Sequence, residues 1–426
     1  MVDQRRLCLP LQGIFLMAPN HQRDAWELVS QICSDLCQVP KRSAQPLSSA
    51  PGSCLEDPLG SSFQALLLAH FSRHFPGSSG LRNQAALQAH KLLENADTCK
   101  VWVHGHFAPG LFSGWPGTQW VRWETEKVLG ISGAPSKIRC RSFQEENWLL
   151  QILSRNYCSG RADLITGIAG LGLYGVKGWS HTGQGIYRKI CGEAVAQLEA
   201  HSLKQRNGRI WTSLGPQKKP RKSGRHVRVD LGLAHGLAGI MIFLASCYTH
   251  GIEKRLTRKM LNETTQWLMD QKTFGGTFLF PAVLDDGIAV PCPRLSWCYG
   301  DMGIAVALRL VGEATGDKSL TEESLSLISR ALHIPRSETQ VQDPGICHGS
   351  SGVALISSLF SQQRSKPVFV KAAQYWLRET VTLAQNTPVK ETGLLKGSTG
   401  IALSLMHNML PANGNWVSFL GLTLPV

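Results

Sequence analysis

The sequence has few charged residues and no long apolar segment. Charged residues make up 17% of the chain against 43% hydrophobic residues, a balance typical of a protein that folds around a large core. No apolar run reaches the ~20 residues that a membrane span requires, so we expect no transmembrane helix. The sequence also lacks zinc-finger spacing, an RNP pattern and basic-region heptads, which argues against nucleic-acid binding. The net charge of +14 favours acidic partners in general.

The chain also lacks the cysteine pattern and the cleavage site of a small secreted protein. Its 12 cysteines are scattered at irregular intervals, whereas disulfide frameworks belong to short secreted domains. Arg5 and Arg6 precede an apolar run, but Pro10 and Gln12 interrupt that run and no A-x-A site follows. We therefore expect a cytoplasmic location.

A Gly-x-x-Gly turn followed by an apolar run recurs six times along the chain. A single turn of this kind carries little information, but repetition at near-regular intervals is the signature of a repeat architecture. Each turn predicts the start of a helix, because glycine permits a tight entry and close packing. The first glycines of the six turns are Gly114, Gly167, Gly236, Gly300, Gly349 and Gly397.

Each repeat combines one buried helix with one surface helix. The run after each turn is apolar on nearly all sides, which predicts a buried helix. The stretches 251–271 and 365–385 carry charged faces and predict amphipathic helices. A closed ring of such hairpins predicts an all-α fold, an α/α toroid with buried helices inside and amphipathic helices outside. We assign this toroid to residues 101–426.

Two parts of the chain depart from the repeat. Two of the repeats are longer than the others, which predicts a small inserted segment, with a short β-hairpin within 275–290. Residues 1–100 contain no Gly-x-x-Gly turn. The segments 23–36 and 61–75 predict helices that either complete the ring or lead into it.

Alignment of the six turns on their first glycine predicts a metal site. Two positions before that glycine the residues are apolar, except for Cys298 and Cys347, and the adjacent position includes His235 and His348. Equivalent positions of a closed ring lie at the same end, so these four side chains should converge. Zinc binds thiolate and imidazole ligands. Cys298, Cys347 and His348 therefore predict a zinc site, with His235 either as a fourth ligand or as an acid or base beside it.

Each of these features also has a simpler interpretation. A free cysteine is often a small buried apolar side chain, and His348 alone could be a core histidine. The segment 218–228 concentrates Lys218, Lys219, Arg221 and Lys222 and is either a solvated loop or a docking strip for an acidic peptide.

Three motifs resemble those of the LanC family, the lanthionine synthetase cyclases of class I lantibiotic biosynthesis. They are "RLSWCYGDMGIA" (294–305), "ICHGSSGVAL" (346–355) and "LGLAHGLAG" (231–239). As a repeat pattern the resemblance extends over roughly residues 110 to 410. It implies an α-toroid and one Zn²⁺ bound by Cys298, Cys347 and His348, with an open fourth position.

The resemblance also implies the roles of further residues. It implies that His235 and Asp163 act in catalysis, and Arg294, Trp297 and Tyr299 match family residues that line the site. His235 would donate a proton with support from Asp163, and Arg294 would stabilise a developing oxyanion. Two alternatives stay open, since Asp163 could only cap a helix and Arg294 could only pair with a loop carboxylate.

The implied reaction is the addition of a peptide cysteine thiol to dehydroalanine or dehydrobutyrine within a precursor peptide. The implied partner is a dehydrated precursor with its leader. The sequence leaves open whether a dehydratase and an export transporter join it in a membrane-associated complex. Two other functions also remain open: a LanC-like enzyme that adds glutathione or another thiol, and a non-catalytic subunit that holds a peptide for a dehydratase.

Overall fold

Fourteen α-helices form most of the part of the chain that the structure describes. The structure is a computed structural model, and it describes residues 19–38, 58–98, 102–103, 106–107, 109–131, 136–154, 161–213, 227–273, 275–363, 367–410 and 415–425. The helices are α1 (Pro19–Gln38), α2 (Pro58–His74), α3 (Ser79–Thr98), α4 (Trp115–Leu129), α5 (Ser136–Ser154), α6 (Ile168–Thr182), α7 (Gly185–His201), α8 (Leu237–Thr249), α9 (Lys254–Met269), α10 (Asp301–Thr315), α11 (Lys318–Leu332), α12 (Ser350–Gln363), α13 (Pro367–Asn386) and α14 (Ser398–Met409).

The even-numbered helices form a closed inner ring. Each contacts the next along the chain from α2 to α14, and α14 contacts α2. The odd-numbered helices lie outside this ring. Helices α3, α7, α9, α11 and α13 each pack on the inner helix that precedes them, and α1 packs on α14. The predicted α/α toroid is therefore confirmed, and helices from the first hundred residues take part in the ring.

The hydrophobic pattern of each helix explains its layer. In α8 the residues 237–247 are buried without interruption, as expected for a helix surrounded by protein on all sides. In α9 the buried residues recur every three or four positions, among them Met260, Leu261 and Leu268, so only one face packs against the inner ring. Among the described residues, no helix has the length and apolar character of a membrane span.

The second glycine of each turn lies against the chain that enters the same turn. A Cβ atom at Gly239, for example, would overlap the carbonyl oxygen of Leu233 and would also crowd the side chain of Leu164 in the preceding repeat. Only glycine leaves room for this approach. The same overlap or crowding with the carbonyl six residues earlier occurs at Gly117, Gly170, Gly303, Gly352 and Gly400.

Backbone hydrogen bonds join neighbouring turns two positions before the first glycine. This is the position that carries cysteine in two repeats, so the predicted alignment of the repeats is confirmed. The bonds run from Phe112 N to Ile165 O (3.1 Å), from Ala234 N to Cys298 O (3.2 Å), from Cys298 N to Cys347 O (3.2 Å) and from Cys347 N to Leu395 O (2.9 Å).

Short antiparallel strands lie between the helices of the two longer repeats, between α7 and α8 and between α9 and α10. The predicted hairpin within 275–290 is confirmed, because β6 (Val283–Asp285) pairs with β7 (Ile288–Val290) across Asp286 and Gly287, both with positive φ. The other strands of the described residues are β1 (Trp102–Val103), β2 (His106–Phe107), β3 (Leu203–Gln205), β4 (Gly208–Ile210) and β5 (Arg228–Asp230), of which β5 pairs with β6. Most of the basic segment 218–228 lies outside the described residues, so its docking role stays a prediction.

We predict that Gly400→Ala lowers the free energy of unfolding by about 1–3 kcal/mol, because the added methyl group overlaps the Leu394 carbonyl. Gly192→Ala is the matched control, since Gly192 lies within helix α7 and its added Cβ would meet nothing within 4 Å. That control should gain up to about 1 kcal/mol, because alanine favours a helix interior. Denaturant unfolding of both variants measures the difference, and equal stabilities would contradict the packing argument.

Candidate functional site

Cys298 and Cys347 lie side by side at one end of the ring. The backbone hydrogen bond between them holds their main chains together, and their thiols are also hydrogen-bonded to each other. That bond lowers the pKa of Cys298 and raises the pKa of Cys347. The pair therefore favours one thiolate at Cys298 that accepts a hydrogen bond from the Cys347 thiol.

Two neighbours add to the preference for a thiolate at Cys298. The hydroxyl oxygen of Ser296 lies 3.7 Å from the Cys298 sulfur and contributes to lowering the pKa of Cys298. The Tyr299 carbonyl, 3.0 Å from the same oxygen, is the alternative acceptor for the single proton of this hydroxyl. The imidazole of His348 is close enough for its charge to lower the pKa of Cys298 as well.

His348 is oriented by a carboxylate in its own turn. Its Nδ1 lies 2.8 Å from Asp343 Oδ2, and Asp343 Oδ1 accepts from the backbone N–H of Gly345 at 2.9 Å. A carboxylate accepts hydrogen bonds, so in the neutral form of this imidazole Nδ1 carries the proton and Nε2 keeps its lone pair. Asp343 was not among the residues predicted from the sequence. A carboxylate five positions before a candidate ligand histidine was the available signal, because such histidines usually donate to a carboxylate.

The side chain of Asp163 braces the turn before α6 and also faces His235. Its Oδ1 accepts from the backbone N–H groups of Thr166 at 2.7 Å and of Gly167 at 3.1 Å, while Oδ2 lies 3.8 Å from His235 Nδ1. The side chain of Asp163 therefore does not cap α6, as one of the two interpretations proposed, because its hydrogen bonds stabilise the turn that leads into the helix.

The interaction between these two side chains changes the pKa values of both. Burial raises the pKa of Asp163, but His235 and the two backbone N–H groups outweigh burial and lower it overall. The Asp163 carboxylate in turn raises the pKa of His235 against the opposing effect of burial. A half-exposed imidazole whose pKa is raised is suited to donate a proton.

Tyr299 is held close to His235 by the carboxylate of Asp230 in β5. Its hydroxyl donates to Asp230 Oδ1 at 3.4 Å, and its ring centre lies 6.5 Å from that of His235. Burial and then the charge of Asp230 raise the pKa of Tyr299, so the hydroxyl stays protonated at neutral pH. Asp230 lies in β5, and the sequence analysis did not identify it.

Arg294 and Trp297 occupy different environments. Arg294 is partly exposed, and its side chain forms no hydrogen bond or ion pair with any residue that the structure describes. Pairing with a loop carboxylate is therefore not observed within that part of the chain. Trp297 is completely buried, and its indole N–H donates to the Leu420 carbonyl at 2.9 Å. The tryptophan thus lies beneath the site rather than on its exposed surface.

The described residues contain no group of three or more His, Cys, Asp or Glu side chains that could hold a metal ion as they are placed here. The donor types nevertheless fit zinc. Two thiols on hydrogen-bonded backbone segments affect each other's pKa, and a nearby imidazole has Nδ1 occupied by Asp343, which leaves Nε2 for a metal. Cys298, Cys347 and His348 therefore offer the donor atoms that zinc prefers, on side chains that lie near one another.

Comparisons with known proteins agree with the fold and the motifs. The family model described as "Lanthionine synthetase C-like protein" matches residues 66–420. "Nisin biosynthesis protein NisC" of Lactococcus lactis subsp. lactis is 23% identical over 190 residues, which are 42% of this chain and 44% of that protein. The matched part spans less than half of that relative. The solved structure of "Nisin cyclase" superimposes with a TM-score of 0.69 at 18% identity and covers 95% of this chain and 98% of that one.

We predict that two substitutions of Asp163 separate its two contacts. Asp163→Asn should keep the free energy of unfolding within about 0.5 kcal/mol of wild type, whereas Asp163→Ala should lose about 1 kcal/mol, because an asparagine oxygen can accept the two backbone N–H bonds of the turn and alanine cannot. Both variants should lower the pKa of His235, since both remove the negative charge that raises it. Denaturant unfolding and an NMR titration of His235 measure the two effects. An unchanged His235 pKa in both variants would rule out the charge interaction.

Proposed function

The chain belongs to the lanthionine synthetase C-like protein family, and from this premise we propose that it is a zinc-dependent lanthionine cyclase. It would join cysteine thiols of a dehydrated precursor peptide to dehydroalanine and dehydrobutyrine residues of the same peptide. The observation that carries the proposal is the backbone hydrogen bond from Cys298 to Cys347, at the end of the ring that also presents His235. A leader on the precursor, a dehydratase and an export transporter as partners, and a cytoplasmic location, belong to the same proposal.

We assign the zinc ligands to Cys298, Cys347 and His348. His348 would bind through Nε2, because Asp343 occupies its Nδ1. Zinc, when bound, would supply the positive charge that keeps a substrate thiol deprotonated at neutral pH. Cys298, whose pKa is already lowered by its neighbours, would be the first of the two thiols to ionise.

His235 and Asp163 would handle the proton that the reaction needs. The substrate thiol loses its proton, its sulfur bonds to the β-carbon, and the electrons of the double bond move to the α-carbon and its carbonyl. The α-carbon must then gain a proton, so that one S–H is added across one C=C bond in all. The charged imidazole of His235 would donate this proton from Nε2, since its Nδ1 faces Asp163. Asp163 would keep that imidazole charged by raising its pKa.

Arg294 and Tyr299 would act on the substrate near this proton donor. The partly exposed guanidinium of Arg294 has no carboxylate partner among the described residues, so it would be available for the negative charge on the enolate oxygen. The Tyr299 hydroxyl stays protonated and is anchored to Asp230, so its ring would fix the position of the substrate beside His235.

We predict that the purified protein converts a dehydrated, cysteine-containing precursor to a product of the same mass that no longer reacts with a thiol-alkylating reagent. His235→Asn should lower the rate by a factor of about 100 or more, as expected when a general acid is removed. The assay, followed by mass spectrometry, is run with and without glutathione. Glutathione adducts in place of alkylation-resistant peptide would favour the thiol-adding alternative, and tight peptide binding without any product would favour the non-catalytic subunit.

We predict one zinc per chain in the wild type and in His235→Asn, and a loss of zinc in Cys298→Ala and Cys347→Ala. The physical reason is that each alanine variant removes one thiolate donor, whereas His235 belongs to a separate repeat and faces Asp163. Elemental analysis and competition with a chelator measure zinc content and affinity. Full zinc retention in both alanine variants would exclude the ligand set, and loss of zinc in His235→Asn would make His235 a fourth ligand.

A further inference from the structure

We propose that residues 415–425, which lie inside the ring, position Trp297 and thereby set the distance between the thiols of Cys298 and Cys347. In this arrangement Trp297 and Arg309 are positioning residues. Their hydrogen bonds to the segment determine where the turn that carries Cys298 lies. The inference rests on the proposed use of the two thiols, but it concerns only how this chain places them.

The segment is enclosed by inner helices. The ring of Phe419 packs edge-on against Phe63 of α2 at 5.0 Å and against Trp120 of α4 at 5.5 Å between ring centres. Gly421 lies beside Ile242 of α8, and the residues from Trp416 to Leu422 are buried. Contacts with helices from different sides of the ring place the segment in its interior.

The local turn of the segment exposes two carbonyl groups to the surrounding helices. Gly421 has a φ of 69°, its N–H bonds to Ser418 O at 3.0 Å, and the N–H of Leu422 bonds to Val417 O at 3.2 Å. This is the hydrogen-bond pattern of a Schellman motif, which reverses the chain after a short helical turn. The carbonyl groups of Leu420 and Leu422 then accept from side chains of the ring.

Both acceptors are used by side chains at the repeat that carries Cys298. The indole N–H of Trp297 donates to Leu420 O at 2.9 Å, and Arg309 Nη2 of α10 donates to Leu422 O at 2.7 Å. Both donor side chains are buried, so loss of either bond would leave a polar group without water or partner. The segment is therefore tied to this repeat at two points.

The same two side chains reach the repeat that carries Cys347. Trp297 directly precedes Cys298, and a Cβ atom at Gly352 of α12 would lie 3.4 Å from the Trp297 Cβ. The guanidinium of Arg309 lies over the ring of Phe360, also in α12, at 5.4 Å. One segment thus stabilises the relative position of the two helices whose turns hold the thiols.

Trp297 differs from its equivalents in the other repeats, which supports a role beyond packing. Three positions before the first glycine, the other five turns carry leucine or isoleucine, namely Leu111, Leu164, Leu233, Ile346 and Leu394. An aliphatic side chain fills that position by packing alone. Only Trp297, in the turn that carries Cys298, also donates a hydrogen bond to the segment.

The test compares Trp297→Phe with Trp211→Phe in metal-free protein without peptide. Trp211 is also buried and donates its indole N–H to a backbone carbonyl, that of Leu198 at 2.7 Å, so both variants lose the same kind of bond. The readout is the rate at which the Cys298 and Cys347 thiols form a disulfide under a mild azo oxidant, which takes up the two electrons and two protons. Mass spectrometry of the cross-linked peptides measures this rate.

We expect Trp297→Phe to slow cross-linking by about fivefold, the factor that one buried hydrogen bond contributes, and Trp211→Phe to leave it unchanged. Gly421→Ala provides a second variant that shifts both carbonyl groups, because alanine is strained at positive φ. Its control is Gly183→Ala, with a φ of 68° and open space around the added Cβ.

Two outcomes would overturn the proposal. Wild-type cross-linking rates in Trp297→Phe and Gly421→Ala would show that the segment does not set the thiol distance. Equal slowing in each variant and its control would show that general destabilisation, and not positioning, is responsible. The measurement uses neither zinc nor peptide, so failure of the proposed cyclase activity would leave its result unaffected and remain distinguishable from it.

Discussion

The backbone hydrogen bonds between neighbouring turns determine where the site lies. Each bond joins equivalent positions of successive repeats, from Ala234 to Cys298, from Cys298 to Cys347 and from Cys347 to Leu395. A side chain at this position therefore faces the same end of the ring in every repeat. The second glycine of each turn makes the bonds possible, because its missing side chain lets the chain approach the inner helix closely. Two cysteines at this position in consecutive repeats are then sufficient to place two thiols in contact.

This periodicity explains how much could be predicted. The repeated Gly-x-x-Gly turn relates distant residues by alignment, so the meeting of Cys298 with Cys347 follows from the sequence once the ring is assumed. The two layers of helices were predictable for a similar reason, since a helix that is apolar on all sides must be buried. The hairpin of β6 and β7 has its own local signal in the Asp286-Gly287 pair.

The features that were missed have no periodic signal. Asp230 lies in β5 and accepts a hydrogen bond from the Tyr299 hydroxyl. Among the residues that the structure describes, no other repeat has a strand equivalent to β5. The indole N–H of Trp297 donates to the backbone carbonyl of Leu420. Every residue has a backbone carbonyl, so the identity of residue 420 could not indicate this bond. The family resemblance implied that Trp297 is among the residues that line the site. The structure separates the two neighbours, since the side chain of Trp297 is directed into the buried interior.

The two histidines of the site lie at different distances from a carboxylate. This difference suits them to different roles. Asp343 lies 2.8 Å from His348 Nδ1, a hydrogen bond that fixes the proton on that nitrogen and leaves a lone pair on Nε2. A metal ligand needs that lone pair. Asp163 Oδ2 lies 3.8 Å from His235 Nδ1 while Oδ1 accepts from the turn before α6, and Asp163 raises the pKa of His235 by side-chain hydrogen bonding and by its charge. A proton donor needs a charged ring. The roles proposed for His348 as a metal ligand and for His235 as a proton donor therefore follow from how each carboxylate is held by its own turn.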